Sequence, residues 1–108
     1  MMNLLKESSP PTAVFASTES LAIGAVQGAR ELNVKVPDEL SIVGFDNTVL
    51  STICEPPLTT IAQPIEEMGK KVAELLIEEI EKKKESKQRV VLSPKLIVRN
   101  STARKSSI

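Results

Sequence analysis

Two short apolar runs flank one helix-forming stretch, and that order constrains the fold more than anything else in the chain. The first run is "TAVFA", residues 12–16, and the second is "SIVGF", residues 41–45. Both are β-branched or aromatic in part and read as strands. Pro10 and Pro11 stop anything regular before the first run. Between the runs, Ser17 and Thr18 are good N-cap residues and Glu19 suits a first helical turn, so a helix is expected over residues 19–32. "NVKVPDEL" is the loop back, with Pro37 and Asp38 as turn residues. Strand, helix and strand joined this closely form a βαβ unit, whose strands run parallel. Parallel strands are covered on both faces, which accounts for Ile42 and Val43 being apolar in succession. The expected class is α/β, a parallel sheet flanked by helices.

The helix offers two arcs. Leu21, Ala22, Ala25, Gly28, Ala29 and Leu32 share roughly a third of the wheel and are mostly small, so they can lie close on a sheet. Ile23 and Val26 fall outside that stripe, next to Arg30. They either widen the buried face or form a second apolar patch for a partner.

Beyond the second strand, "TVLSTICEPPLTT" reads as an irregular or helical-turn segment ending at Pro56 and Pro57. "LTTIAQP" reads as extended. Pro64 sits well in the first turn of a long helix expected over residues 65–83. Ile65, Met68, Val72, Leu75, Leu76 and Ile80 form its apolar stripe. Glu66 and Glu67 at one end and the basic cluster from Lys82 at the other suit the helix dipole. "KKKESKQ" is expected to be a solvated connector, "RVVLSPKLIVRNST" holds two short strand candidates around Ser93 and Pro94, and "ARKSSI" reads as a frayed tail. At the other end, Leu4 and Leu5 could close a short helix.

Composition removes whole classes of chemistry. Histidine is absent, so the commonest general base and transition-metal ligand are missing. No dinucleotide fingerprint, phosphate loop or nucleophile elbow occurs, and no catalytic residues, metal site or cofactor are expected. Cys54 is the single cysteine and makes no intramolecular disulfide. Formal net charge is zero over 108 residues, so no global field favours nucleic acid or an acidic membrane. No apolar run approaches the ~18 residues that span a bilayer. A cytoplasmic protein is expected.

What the sheet does present is a rim. Ligands gather outside the carboxyl ends of parallel strands. Those ends deliver Ser17, Thr18 and Glu19 from one strand and Asp46, Asn47 and Thr48 from the next. A carboxylate accepts from neighbouring hydroxyls, and Thr or Asn donates or accepts, which suits sugars, nucleosides and other polyols. The competing reading is that Asp46 and Asn47 only turn the chain and Thr18 only caps a helix. A hydrolytic pair of Glu19 and Asp46 is a third and weaker reading.

The pieces also carry a resemblance. Ala22-Ile23-Gly24-Ala25, Val36-Pro37-Asp38, Ser41 to Asp46, Pro57-Leu58-Thr59-Thr60, Gln63-Pro64 and the closing "VRNST" resemble, in order and spacing, the C-terminal part of the lactose/galactose-repressor family of bacterial transcription regulators. "GFDNT-LST" is also similar to the catabolite control protein branch. The resemblance implies part of a periplasmic-binding-protein-like core of two α/β lobes, with a small effector (a sugar, sugar phosphate or nucleobase) in the cleft between them. It implies that residues 1–108 are the C-terminal portion of that core. Residues 11–58 would be mostly second lobe, 59–84 a crossover and a helix of the first lobe, and 85–108 closing strands and tail. The DNA-binding headpiece would be absent, so operator DNA would be reached only through it. By position Asp46 matches the cleft aspartate, Thr18 stands where many members carry Asn, and Gln63 would line the cleft from the crossover. Ile23, Val26, Arg30, Leu50, Ile53 and Cys54 would lie in a homodimer interface. The surface that docks a phosphocarrier protein in the catabolite branch here reads Glu66, Glu67 and Glu74, which does not fit that docking. The expected function is effector binding and dimerisation in a repressor. The alternative is a stand-alone small-molecule binding or scaffold fragment.

Overall fold

The structure is a computed structural model that describes residues 1–82 and 89–105. The elements are α1 (Met2–Leu5), β1 (Ala13–Phe15), α2 (Glu19–Glu31), β2 (Ser41–Phe45), α3 (Leu50–Ile53), β3 (Thr59–Ala62), α4 (Ile65–Lys82) and β4 (Lys95–Ile97). The chain divides into two compact units, residues 1–62 with 96–108, and residues 63–95.

The first unit is built on a sheet in the order β1-β2-β3-β4. β1 pairs parallel with β2, Phe15 opposite Val43, and β2 pairs parallel with β3, Phe45 opposite Ile61. The expected βαβ unit is therefore present and extends to a third parallel strand. The chain after β4 runs the other way along β3, with Arg99 N donating to Thr59 Oγ1 and Asn100 N to Pro57 O. The sheet is thus mixed.

α2 covers the sheet and buries Ala22, Ala25, Val26 and Ala29 against Leu40, Ile42 and Leu58, the last three fully enclosed. Full burial of each large aliphatic side chain contributes about 1.5–3 kcal/mol. The buried arc differs from the expected stripe by roughly 60° of helix rotation. Leu21, expected inside, is 59% exposed, whereas Val26, off the expected stripe, is only 6% exposed and widens the buried face. The reason is Glu19. Its side chain points into the sheet and is 3% exposed, which turns the Glu19–Ala22–Val26 line inward. Gly28, on the expected stripe, is buried beneath α1 instead: a methyl group added there would lie 3.3 Å from Met1 Cβ.

β2 begins and ends at Ser41 and Phe45 as expected. Of the two strand candidates around Ser93 and Pro94, only the second forms, as β4; residues 89–94 hold no regular structure. Most of the solvated connector and the last three residues of the tail lie outside the described residues, and residues 103–105 have no regular structure.

In the second unit α4 begins as expected, with Glu66 and Glu67 in its first turn and Lys82 in its last. It buries none of its residues. Ile65, Met68, Val72, Leu76 and Ile80 are all exposed.

Candidate functional site

The carboxyl ends of β1 and β2 form the rim expected of them. Thr18 lies three residues past Phe15 and Asp46 three past Val43, and Phe15 and Val43 are opposite each other in the register. Thr18 caps α2: its backbone is extended, and Oγ1 accepts from Leu21 N at 3.2 Å. Its own hydroxyl proton is then available to donate outward. Thr18 is exposed.

Glu19 does not serve the rim. Oε1 accepts from Thr48 N at 3.0 Å and Oε2 from Thr60 Oγ1 at 3.2 Å. A buried carboxylate with both oxygens occupied is a brace. It also explains Gly44: a side chain there would collide with the Glu19 carboxylate. A pairing of Glu19 with Asp46 for hydrolysis is therefore not what the fold builds.

Asp46 and Asn47 are consecutive positive-φ residues, at 98° and 55°. Asp and Asn tolerate this region better than other side chains, at about 1–3 kcal/mol for each sparsely populated conformation. Three successive backbone donors hold the turn. Asp46 N donates to Ile61 O at 2.9 Å, Asn47 N to Thr60 Oγ1 at 3.3 Å, and Thr48 N to Glu19. The Asn47 side chain is also committed: Oδ1 accepts from Arg99 Nη2 at 2.7 Å. Arg99 Nη1 donates to Ser51 Oγ and to Leu58 O, both at 2.9 Å, and Ser51 Oγ donates onward to Thr48 O at 2.7 Å. The two polar residues at the β2 tip thus have different work. Asn47 turns and anchors the chain, and Asp46 is carried half-buried on the rim.

Gln63 directly follows β3 and is the first residue of the second unit. Among the described residues no cluster of three or more His, Cys, Asp and Glu side chains could hold a metal ion, and no helix is long and apolar enough to cross a membrane.

The six residues expected at an interface have mixed environments. Ile53 is 71% exposed and Leu50 is exposed; Ile23 and Cys54 are half-buried against the core; Val26 is inside it. The exposed Arg30 donates from Nη2 to Glu55 O at 3.0 Å, tying the end of α2 to the loop after α3. Val26, Arg30, Val34, Val36, Glu55 and Pro56 line a groove of about 480 Å³ between these segments. Cys54 Sγ donates to Pro56 O at 3.2 Å. Burial pushes its thiol pKa up and the Glu19 carboxylate adds to this, against backbone hydrogen bonding and Arg99.

Sequence reasoning missed Arg99 and Ser101. Ser101 is fully buried. Its Oγ accepts from Thr59 N at 2.8 Å and donates to Ile42 O, and its carbonyl accepts from Ile42 N at 2.9 Å. Thr59 Oγ1 and Thr102 Oγ1 lie 2.8 Å apart. The available signal was the polar stretch Arg99 to Thr102 shortly after an apolar strand, whose donors and hydroxyls can bond to neighbouring strands.

The family profile described as a periplasmic binding protein-like domain matches residues 1–102. The transcriptional regulator DegA of Bacillus subtilis (strain 168) is 48% identical over 99 residues, covering 92% of this chain and 29% of that protein. The transcriptional repressor CytR of Escherichia coli (strain K12) is 42% identical over 102 residues, covering 94% of this chain and 30% of that protein. The crystal structure of a LacI family transcriptional regulator from Enterococcus faecium with bound ribose is 37% identical and superposes with a TM-score of 0.81, over 94% of this chain and 37% of that one. The chain therefore spans about three-tenths of the length of the curated relatives it matches. A paired β1–β2 rim, a braced turn at the β2 tip and a match running through nearly the whole chain lead to one conclusion: the chain belongs to the periplasmic-binding-protein-like domain family, in its lactose-repressor-like branch of transcriptional regulators.

Proposed function

We propose that this chain is the effector-binding and dimerisation segment of a bacterial transcriptional repressor that senses a small ligand: a sugar, sugar phosphate or nucleobase. The observation that carries the reading is the β2 tip. A half-buried carboxylate, Asp46, is held at a φ of 98° three residues past Val43, and Thr18 stands three residues past Phe15, the neighbour of Val43 in the register. The bound ribose in the Enterococcus faecium relative supports a sugar as the first ligand to try. Asp46 accepts hydrogen bonds from the ligand and Thr18 donates. The role is binding without catalysis, in the cytoplasm. Residues 11–58 supply mostly one lobe, and α4 belongs to the other, whose remaining parts lie elsewhere in a longer protein. Two copies meet through Ile23, Arg30, Leu50, Ile53 and Cys54, with Val26 supporting that face from the core. Operator DNA is contacted by a headpiece outside this segment.

The test is calorimetry on the full-length protein carrying this segment, titrated with ribose, glucose 6-phosphate and adenine. One of these classes should bind, and Asp46→Ala should weaken that binding by about 1.5–3 kcal/mol, the worth of a hydrogen bond to a charged group. Unchanged affinity in the variant would remove Asp46 from the site.

A further inference from the structure

We propose that Arg99 is a positioning residue for ligand recognition: it clamps the turn that presents Asp46, without touching the ligand. This rests on Asp46 being the ligand-holding residue. The guanidinium is a rigid fork of five donors. Here it spans three acceptors from three segments: Asn47 Oδ1 in the turn after β2, Ser51 Oγ in α3, and Leu58 O just before β3. Its backbone N is fixed in turn by Thr59 Oγ1 at 2.9 Å. The clamp therefore refers the turn to β3.

Glu19 and Thr60 grip the same turn through its backbone, taking the N–H groups of Thr48 and Asn47. Asp46 lies directly before these anchored residues, and its own N–H is held by Ile61 O. Its side-chain direction follows from backbone angles that the anchors fix. Removing Arg99 loosens the side-chain anchor and leaves the Glu19 brace and the β2–β3 ladder in place. The expected result is a locally mobile tip on an intact sheet. A lysine ammonium has three donors on a single compact nitrogen and lacks the extended planar fork that reaches these separated acceptors.

The test uses the full-length protein with Arg99→Met, Arg99→Lys and, as a control, Arg104→Met in the exposed stretch after the clamp. Amide hydrogen exchange is followed over residues 46–51 and, for comparison, over β2. Ribose, glucose 6-phosphate and adenine affinities are measured alongside. For Arg99→Met, exchange over 46–51 should rise about tenfold and affinity for the bound probe should fall about tenfold, each equivalent to losing one charge-assisted hydrogen bond. β2 should exchange as in the parent, Arg99→Lys should fall between, and Arg104→Met should change neither. Exchange that is unchanged over 46–51, or that rises equally in β2, overturns the proposal, as does unaltered affinity with a loosened turn. If the parent protein binds none of the three probes, the proposed function fails, while the exchange comparison still decides whether Arg99 holds the turn.

Discussion

α2 and α4 are both amphipathic helices, yet one is built into a core and the other has its apolar stripe exposed. α2 lays Ala22, Ala25, Val26 and Ala29 on the sheet and ties its first turn to β3 through Glu19. α4 leaves Ile65, Met68, Val72, Leu76 and Ile80 open and is braced along its surface by Lys71–Glu74 and Lys82–Glu78, at 3.5 and 3.0 Å. Exposed pairs of that kind contribute about 0.3–0.5 kcal/mol each, and an isolated helix of this length is marginal in water. Periodicity therefore reports that a face wants a partner. It does not report whether the partner lies in the same stretch of chain.

The largest contrast should come from truncating one apolar side chain in each region of the 108-residue chain. Leu58 is fully buried, and Leu58→Ala should cost about 2–5 kcal/mol, the range for enlarging a core cavity. Val72 is 65% exposed, and Val72→Ser should stay within about 0.5 kcal/mol. Urea unfolding of both variants checks this; equal losses would mean that α4 already has a core of its own.

A smaller effect sharpens the first region from its edge. The Cys54 thiol is pushed up chiefly by burial, so the fold holds its proton where the unfolded chain would release it. Any stability it lends is complete below the ordinary thiol pKa and is lost as pH rises through the folded value. Alkylation by iodoacetamide at about pH 8 should accordingly be slower in the folded chain than in urea. Equal rates would place Cys54 outside the shielded edge.

Much of this was legible in the residues. Prolines, caps and β-branched runs placed β2 and the start of α4 to the residue and α2 within one; the expected end of α4 at Lys83 lies outside the described residues. The rim followed from strand order alone. The rotation of α2 was not legible, because a glutamate in a first turn reads as a surface charge until its acceptors are matched by Thr48 N and Thr60 Oγ1. The clamp was hidden for a related reason. Arg99 and Asn47 are 52 positions apart, and nothing local marks a surface-type arginine as a tertiary anchor. Asn47 read equally well as ligand contact or as turn, and only its partner separates the two.

Residues 1–62 with 96–108 form one compact unit with a buried core, whereas α4, in the other, buries none of its residues. Amide hydrogen exchange measures that directly, in the 108-residue chain and in the full-length protein side by side. Slow exchange is expected over β2 and β3 in both. Fast exchange is expected over Ile65–Lys82 in the short chain, slowed at least about a hundredfold in the long one by burial of the stripe. Equal protection of that helix in both would contradict it.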